Sequence, residues 1–172
     1  MNIKRIVRIA LMTSILSVLS LISIPIGPVP ITLQTLGVFL CGFILGPLDG
    51  GISVILYLML GASGVPVFSG GTAGLKILIG PTGGYLLSFP IAAYISGYGA
   101  DRLKKRMSIY AVGLLCIAVN YLIGVPYLAF IARLSIQKAL TVGAYPFIIP
   151  DIIKMIVAAN VSAKVRKIVL KR

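Results

Sequence analysis

The chain has no histidine, only three acidic residues and only two cysteines, and each scarcity removes a class of chemistry. Without histidine, the commonest metal ligand and the commonest general base near neutral pH are missing. Asp49, Asp101 and Asp151 are the only acids, and no serine stands beside an evident base. No catalytic set and no metal site is therefore expected. Cys41 and Cys116 lie far apart inside apolar runs and read as small buried hydrophobes. Two segments are rich in glycine, but no Gly-Lys-Ser/Thr follows either, which argues against a nucleotide-binding loop.

What is abundant is apolar sequence. Of the 172 residues 59% are hydrophobic, and the mean hydropathy is +1.09, values that belong to a membrane protein rather than a soluble domain. At about 20 residues per crossing, the length fits roughly six transmembrane helices in one domain, residues 1–172, of all-α class. A net charge of +13 could point to nucleic acid. The basic residues instead cluster beside apolar spans, where orientation signals sit, so the expected surroundings are a lipid bilayer and no nucleic acid.

Taken in order, Lys4, Arg5 and Arg8 precede an apolar run from Ile9 to Ile24 that reads as a first transmembrane helix rather than a cleaved signal, since no small-x-small site follows. Ala10, Thr13, Ser14, Ser17 and Ser20 place small residues along one face, for packing inside the protein or for docking another membrane subunit. Pro25, Pro28 and Pro30 form an extended connector. Thr32, Gln34 and Thr35 open a second span that runs to Gly46, with Pro47 and Asp49 in a tight turn after it. The apolar run Gly51–Ala62 is too short to cross unaided and must draw on its flanks. Irregular backbone between Gly61 and Gly74, holding Gly71 and Thr72, fits a membrane only where it is buried or lines a cavity, and reads as a partly re-entrant lid. A second cluster, Gly80 to Tyr85, opens a fourth span. A fifth covers Ile109–Ile131 with Asn120 and Tyr121 in its apolar stretch. A connection containing Arg133, Lys138 and Tyr145 leads to the sixth, which is expected to start at Pro150 with Asp151 in its first turn.

With the N-terminus inside, Lys4, Arg5, Arg8, the cluster Arg102 to Arg106 and the basic tail Lys164 to Arg172 all face the cytoplasm, leaving only Lys76, Arg133 and Lys138 outside. Both termini are then cytoplasmic in a multi-pass protein. The proline connector, the glycine-rich loops, Tyr145, Asp151 and Lys154 all fall at outer helix ends, an arrangement suited to capturing a small solute. Asp151 and Lys154 stand three residues apart and share a helix face. By insertion scales a mid-membrane charge costs roughly 2.5 to 3.5 kcal/mol, so the two pair with each other or with a ligand. Gln34, Thr35 and Tyr85 are the neutral residues placed to join them. The alternatives at this level are an internal ion pair in a structural membrane subunit, and a stand-alone carrier coupled to protons through Asp151.

The ordered motifs Pro28-Val29-Pro30-Ile31-Thr32-Leu33-Gln34-Thr35-Leu36, Leu45-Gly46-Pro47, Tyr57-Leu58-Met59-Leu60-Gly61, Gly64-Val65-Pro66-Val67-Phe68, Gly80-Pro81-Thr82-Gly83-Gly84-Tyr85, Gly124-Val125-Pro126-Tyr127-Leu128 and Pro150-Asp151-Ile152-Ile153-Lys154 resemble the BioY family of biotin transport proteins across essentially the whole chain. The resemblance implies a six-helix S component of an energy-coupling-factor transporter in the cytoplasmic membrane. It implies biotin as the transported ligand and no cofactor in this chain. It also implies a membrane coupling subunit, and two cytoplasmic ATPases that consume the ATP. The family's acid and lysine match Asp151 and Lys154, and the expected substrate-binding set is Gln34, Thr35, Gly71, Thr72, Tyr85, Tyr145, Asp151 and Lys154. Ala10 and Ser14 match the docking face, with serine where the family usually has alanine. Thr72 and Ala73 stand where some relatives carry asparagine.

Overall fold

The computed structural model describes residues 3–103 and 105–169. Lys104, Lys171 and Arg172, read above as orientation signals, lie outside the described residues. Eight helices carry the described chain: α1 (Ile3–Leu21), α2 (Gln34–Leu45), α3 (Pro47–Ala62), α4 (Leu75–Leu78), α5 (Gly83–Arg102), α6 (Arg106–Ile131), α7 (Ile136–Gly143) and α8 (Tyr145–Val169). Two dipeptide strands, β1 (Ser23–Ile24) and β2 (Ile31–Thr32), pair antiparallel with Ser23 opposite Thr32 and Ile24 opposite Ile31. They close the proline connector into a short hairpin, since proline excludes the helix between them. The protein is thus nearly all-helical. The arginine-led α6 and residues Tyr145–Ile168 of α8 are long and apolar enough to cross a membrane, while Gln34–Leu45 and Pro47–Ala62 are shorter apolar helices.

α2 forms the centre of the bundle. Val38, Phe39, Cys41, Phe43, Ile44 and Leu45 are all buried, and the helix packs against α1, α3, α5 and α8. Its crossing with α5 is close because Gly42 faces Ala93 and Ser96: a Cβ there would stand 2.4 Å from the Ala93 carbonyl oxygen. Backbone cannot yield to that contact as a side chain can, so the crossing requires glycine. Cys41 and Cys116 are fully buried and free.

Several boundaries differ from the sequence reading. α1 ends at Leu21, three residues before Ile24, because β1 claims Ser23 and Ile24. Pro47 does not sit in a turn but opens α3 as its first residue, and the reversal is confined to Gly46 at φ +88. Proline loses nothing there, as a first-turn N–H has no helical acceptor. α3 therefore runs over 16 residues rather than the 12 of its apolar run. The connection after α6 contains a helix, α7, capped by Ser135, whose side chain accepts from the Lys138 N–H.

The largest revision concerns α8. It begins at Tyr145, so Pro150 lies inside the helix and Asp151 is beyond the first turn. The dipole at the helix start is therefore not what compensates Asp151. Pro146, the second residue, loses no helical hydrogen bond, whereas Pro150 leaves the Pro146 carbonyl without its helical donor.

Candidate ligand-binding site

The helix ends bearing the proline connector, the first glycine-rich segment and the start of α8 meet around a cavity that is open to solvent on one side. Val29 and Pro30 of the connector, Thr32, Phe68 and Ser69, Ile77, Thr82, and Gly143 with Phe147 contribute to its wall. Tyr85, Leu86 and Phe89 on α5, Asn120 and Tyr121 on α6, Gln34 and Thr35 on α2, and Asp151 with Lys154 on α8 complete it. The wall is mostly apolar and aromatic, with a small polar set, the usual composition of a ligand pocket.

The charged pair is buried, with Asp151 4% and Lys154 8% exposed. The Lys154 ammonium donates to Asp151 Oδ1 at 2.9 Å. Thr35 of α2 donates to the same oxygen at 2.9 Å and accepts from Lys154 at 3.3 Å, while Tyr121 of α6 donates to Asp151 Oδ2 at 2.7 Å. The ion pair is thus local to α8, and neutral hydroxyls make the links to other helices. The internal ion pair is therefore present, but it lies within one helix and does not by itself hold two helices together. Two of the ammonium's three donors are engaged, leaving one without an acceptor among the described residues, on a side chain that lines the cavity.

Five of the expected site residues share this wall: Gln34, Thr35, Tyr85, Asp151 and Lys154. Gln34 is tied down by donating to the Tyr57 hydroxyl at 2.6 Å and accepting from Thr32 at 3.2 Å. Tyr85 donates to the Gly143 carbonyl at 2.8 Å, fixing the α7–α8 junction beside the cavity. Gly71, Thr72 and Tyr145 are outside the wall. Gly71 and Thr72 are exposed in a tight turn whose Phe68 and Thr72 pair, so Phe68 and Ser69 are what that segment turns inward. Gly70 and Gly71, at φ +65 and +77, supply the left-handed backbone the turn needs. Phe68 is fully buried, edge-on to Tyr57, and its ring occupies the space a Cβ at Gly61 would need, 2.1 Å away. Tyr145 is 61% exposed.

Sequence reading passed over Tyr121 as a partner of Asp151, and with it Asn120, Phe68 and Phe147. The signal for the first two was present: an adjacent polar pair in an otherwise apolar helix. Nothing in composition distinguishes Phe68 or Phe147 from ordinary core. A smaller pocket adjoins the cavity, lined by Thr35, Asn120 and Asp151 and by the buried Val38, Ala92 and Cys116. It marks Asp151 and its neighbours as the inner end of the cavity. Among the described residues no cluster of three or more metal-ligating side chains is present.

On α1 the small-residue stripe divides. Thr13 and Ser20 are buried, Thr13 donating to the Ile9 and Ser53 carbonyls and Ser20 bonding the Val67 carbonyl. Ala10 and Ser14 face outward beside Val7, Leu11, Ile15 and Val18.

The comparisons with known proteins agree with one another. Similar chains include the "Probable biotin transporter BioY" of Pyrococcus horikoshii, 40% identical over 166 residues, 96% of this chain and 98% of that one. The biotin transporter BioY of Thermotoga maritima is 37% identical over 169 residues, 98% and 99% of the two chains. The fold matches the crystal structure of the S-component for biotin from an ECF-type ABC transporter, with TM-score 0.89 and 31% identity over 96% of this chain and 92% of that one. With the BioY family model also matching residues 1–171, the chain belongs to the BioY family.

Proposed function

We propose that the protein is the biotin-binding S component of an energy-coupling-factor transporter, a membrane transport component and not an enzyme. The observation that carries this reading is the cavity with a charge-balanced polar set at its inner end. Biotin carries a cyclic urea, a fused thioether ring and a carboxylate on a four-carbon chain. Because Lys154 is already compensated by Asp151, a ligand carboxylate at the inner end would bring an unbalanced buried charge, costly at low dielectric. The neutral urea avoids this cost, with one N–H toward the Asp151 carboxylate and its carbonyl toward the spare Lys154 donor. Tyr85, Phe89, Phe68 and Phe147 supply apolar walls for the rings, and the carboxylate points toward the outer end. Gln34 and Thr35 hold the polar set in place, and Gly71, Thr72 and Tyr145 belong to the rim and cover.

The same reading makes residues 1–172 one domain in the cytoplasmic membrane, with α1, α2, α3, α5, α6 and α8 as the six membrane helices and both termini cytoplasmic. The exposed Ala10 and Ser14 face would meet the membrane coupling subunit, and two cytoplasmic ATPases would provide the energy. Saturable binding of labelled biotin to the purified chain tests the ligand. Lack of such binding would refute the assignment. In vesicles, uptake is expected only when the coupling subunit and ATPases are added. Uptake by the chain alone would favour a proton-coupled carrier instead.

A further inference from the structure

Asn120 is 6% exposed and lines both the main cavity and its inner extension. Its side-chain oxygen lies 2.5 Å from the Ser88 hydroxyl of α5. The Ser88 hydroxyl donates to this oxygen, which places the amide oxygen toward Ser88. The Ser88 hydroxyl also approaches the Tyr85 carbonyl at 2.8 Å, but that carbonyl already accepts a helical N–H, and the single hydroxyl proton can serve Asn120. The amide orientation is thereby fixed, and the NH2 group is turned away from Ser88. Among the described residues the NH2 group meets no acceptor, and no enclosed side-chain nitrogen or oxygen lacks a partner. The group must therefore open onto the cavity that Asn120 lines. It is a buried, pre-oriented donor without a protein acceptor, next in sequence to the tyrosine that holds Asp151.

We propose that Asn120, oriented by Ser88, is a specificity-determining residue that donates a hydrogen bond to the carbonyl oxygen of the ligand's cyclic urea. This rests on the functional reading above. In a planar urea the carbonyl lies between two N–H groups. A ring whose N–H is accepted by Asp151 thus places its carbonyl beside that carboxylate, where Lys154 and Asn120 are the available donors. The site would then read the carbonyl itself, rejecting a ring whose oxygen is replaced by a protonated imino group.

The test compares binding of biotin, desthiobiotin, which lacks the sulfur but keeps the urea, and 2-iminobiotin, whose carbonyl is replaced, to the purified full chain. For Asn120→Ala, biotin and desthiobiotin should both weaken by about 10-fold, the worth of one buried neutral hydrogen bond. The affinity for 2-iminobiotin should change by less than about 2-fold, so that the preference for carbonyl over imino falls. Asn120→Asp should move that preference further in the same direction, since its carboxylate would accept from the imino group. Ser88→Ala should produce a smaller loss of preference and carries the test if the Asn120 variants do not fold. Equal weakening of all three ligands, or no change, would overturn the role given to Asn120. Failure of the unaltered chain to bind biotin would instead overturn the functional reading.

Discussion

At one end of the helix bundle Asp49 and Asp101 reach basic residues on other helices, Arg5 of α1 and Arg166 of α8. At the other end Asp151 takes its partner from three residues along its own helix. The first two pairs are partly solvated, with Asp101 at 41% and Asp49 at 23% side-chain exposure, whereas Asp151 is at 5%. The solvated pairs join distant segments, and Arg166 also donates to the Phe43 carbonyl near the end of α2. The buried pair joins nothing by itself. A local pair in an expensive location is hard to explain by stability, because apolar residues of similar volume commonly do as well there or better. It is readily explained by a ligand that needs a donor and an acceptor side by side.

The widest separation between the two ends should come from Asp151→Ala. It leaves Lys154 buried without a counter-charge, and biotin binding should weaken by about 2 to 5 kcal/mol. Titration of labelled biotin into the purified variant measures this, and unchanged affinity with a lowered melting temperature would return the pair to a structural role. Next is Tyr121→Phe, which removes one hydrogen bond to a charged group and should cost about 1.5 to 3 kcal/mol in stability or binding. Thermal unfolding with and without biotin divides the loss between the two. Tyr85→Phe frees the Gly143 carbonyl, with an expected cost of about 0.5 to 1.5 kcal/mol. A faster biotin off-rate is its expected signature, because the junction beside the cavity loses its tether. The smallest effect belongs to the far end. Asp101→Asn should cost about 0 to 1 kcal/mol, decline further with added salt, and leave biotin affinity unchanged. A large loss of binding in that variant would collapse the distinction between the two ends.

Much of this was legible in the sequence. Apolar runs located the longer helices, and spacing put Asp151 and Lys154 on one helix face, to pair with each other or with a ligand. The places that were not legible share a physical reason. Proline is compatible with either a turn or a first helical residue, so Pro47 and Pro150 could not be resolved without knowing where neighbouring backbone found its hydrogen bonds. α7 has its apolar residues at helical spacing, Ile136, Ala139 and Leu140, but at eight residues it is too short to stand out among apolar runs read for membrane crossing. The inward turning of Phe68 and Ser69, rather than Gly71 and Thr72, depends on which side of a tight turn faces the bundle. Tyr121 meets Asp151 through helix packing between positions 30 residues apart, a relation that local spacing cannot express.

The placement of Lys154 one turn after Asp151 also bears on biogenesis. A nascent α8 entering the bilayer has not yet met Thr35 or Tyr121, and a carboxylate alone would resist partitioning from the translocon into lipid. Carrying its own counter-ion, the segment can be inserted as a neutral unit and acquire its hydroxyl contacts later, during helix association. Lys154→Ala should accordingly lower the yield of membrane-integrated protein even where no vitamin is supplied.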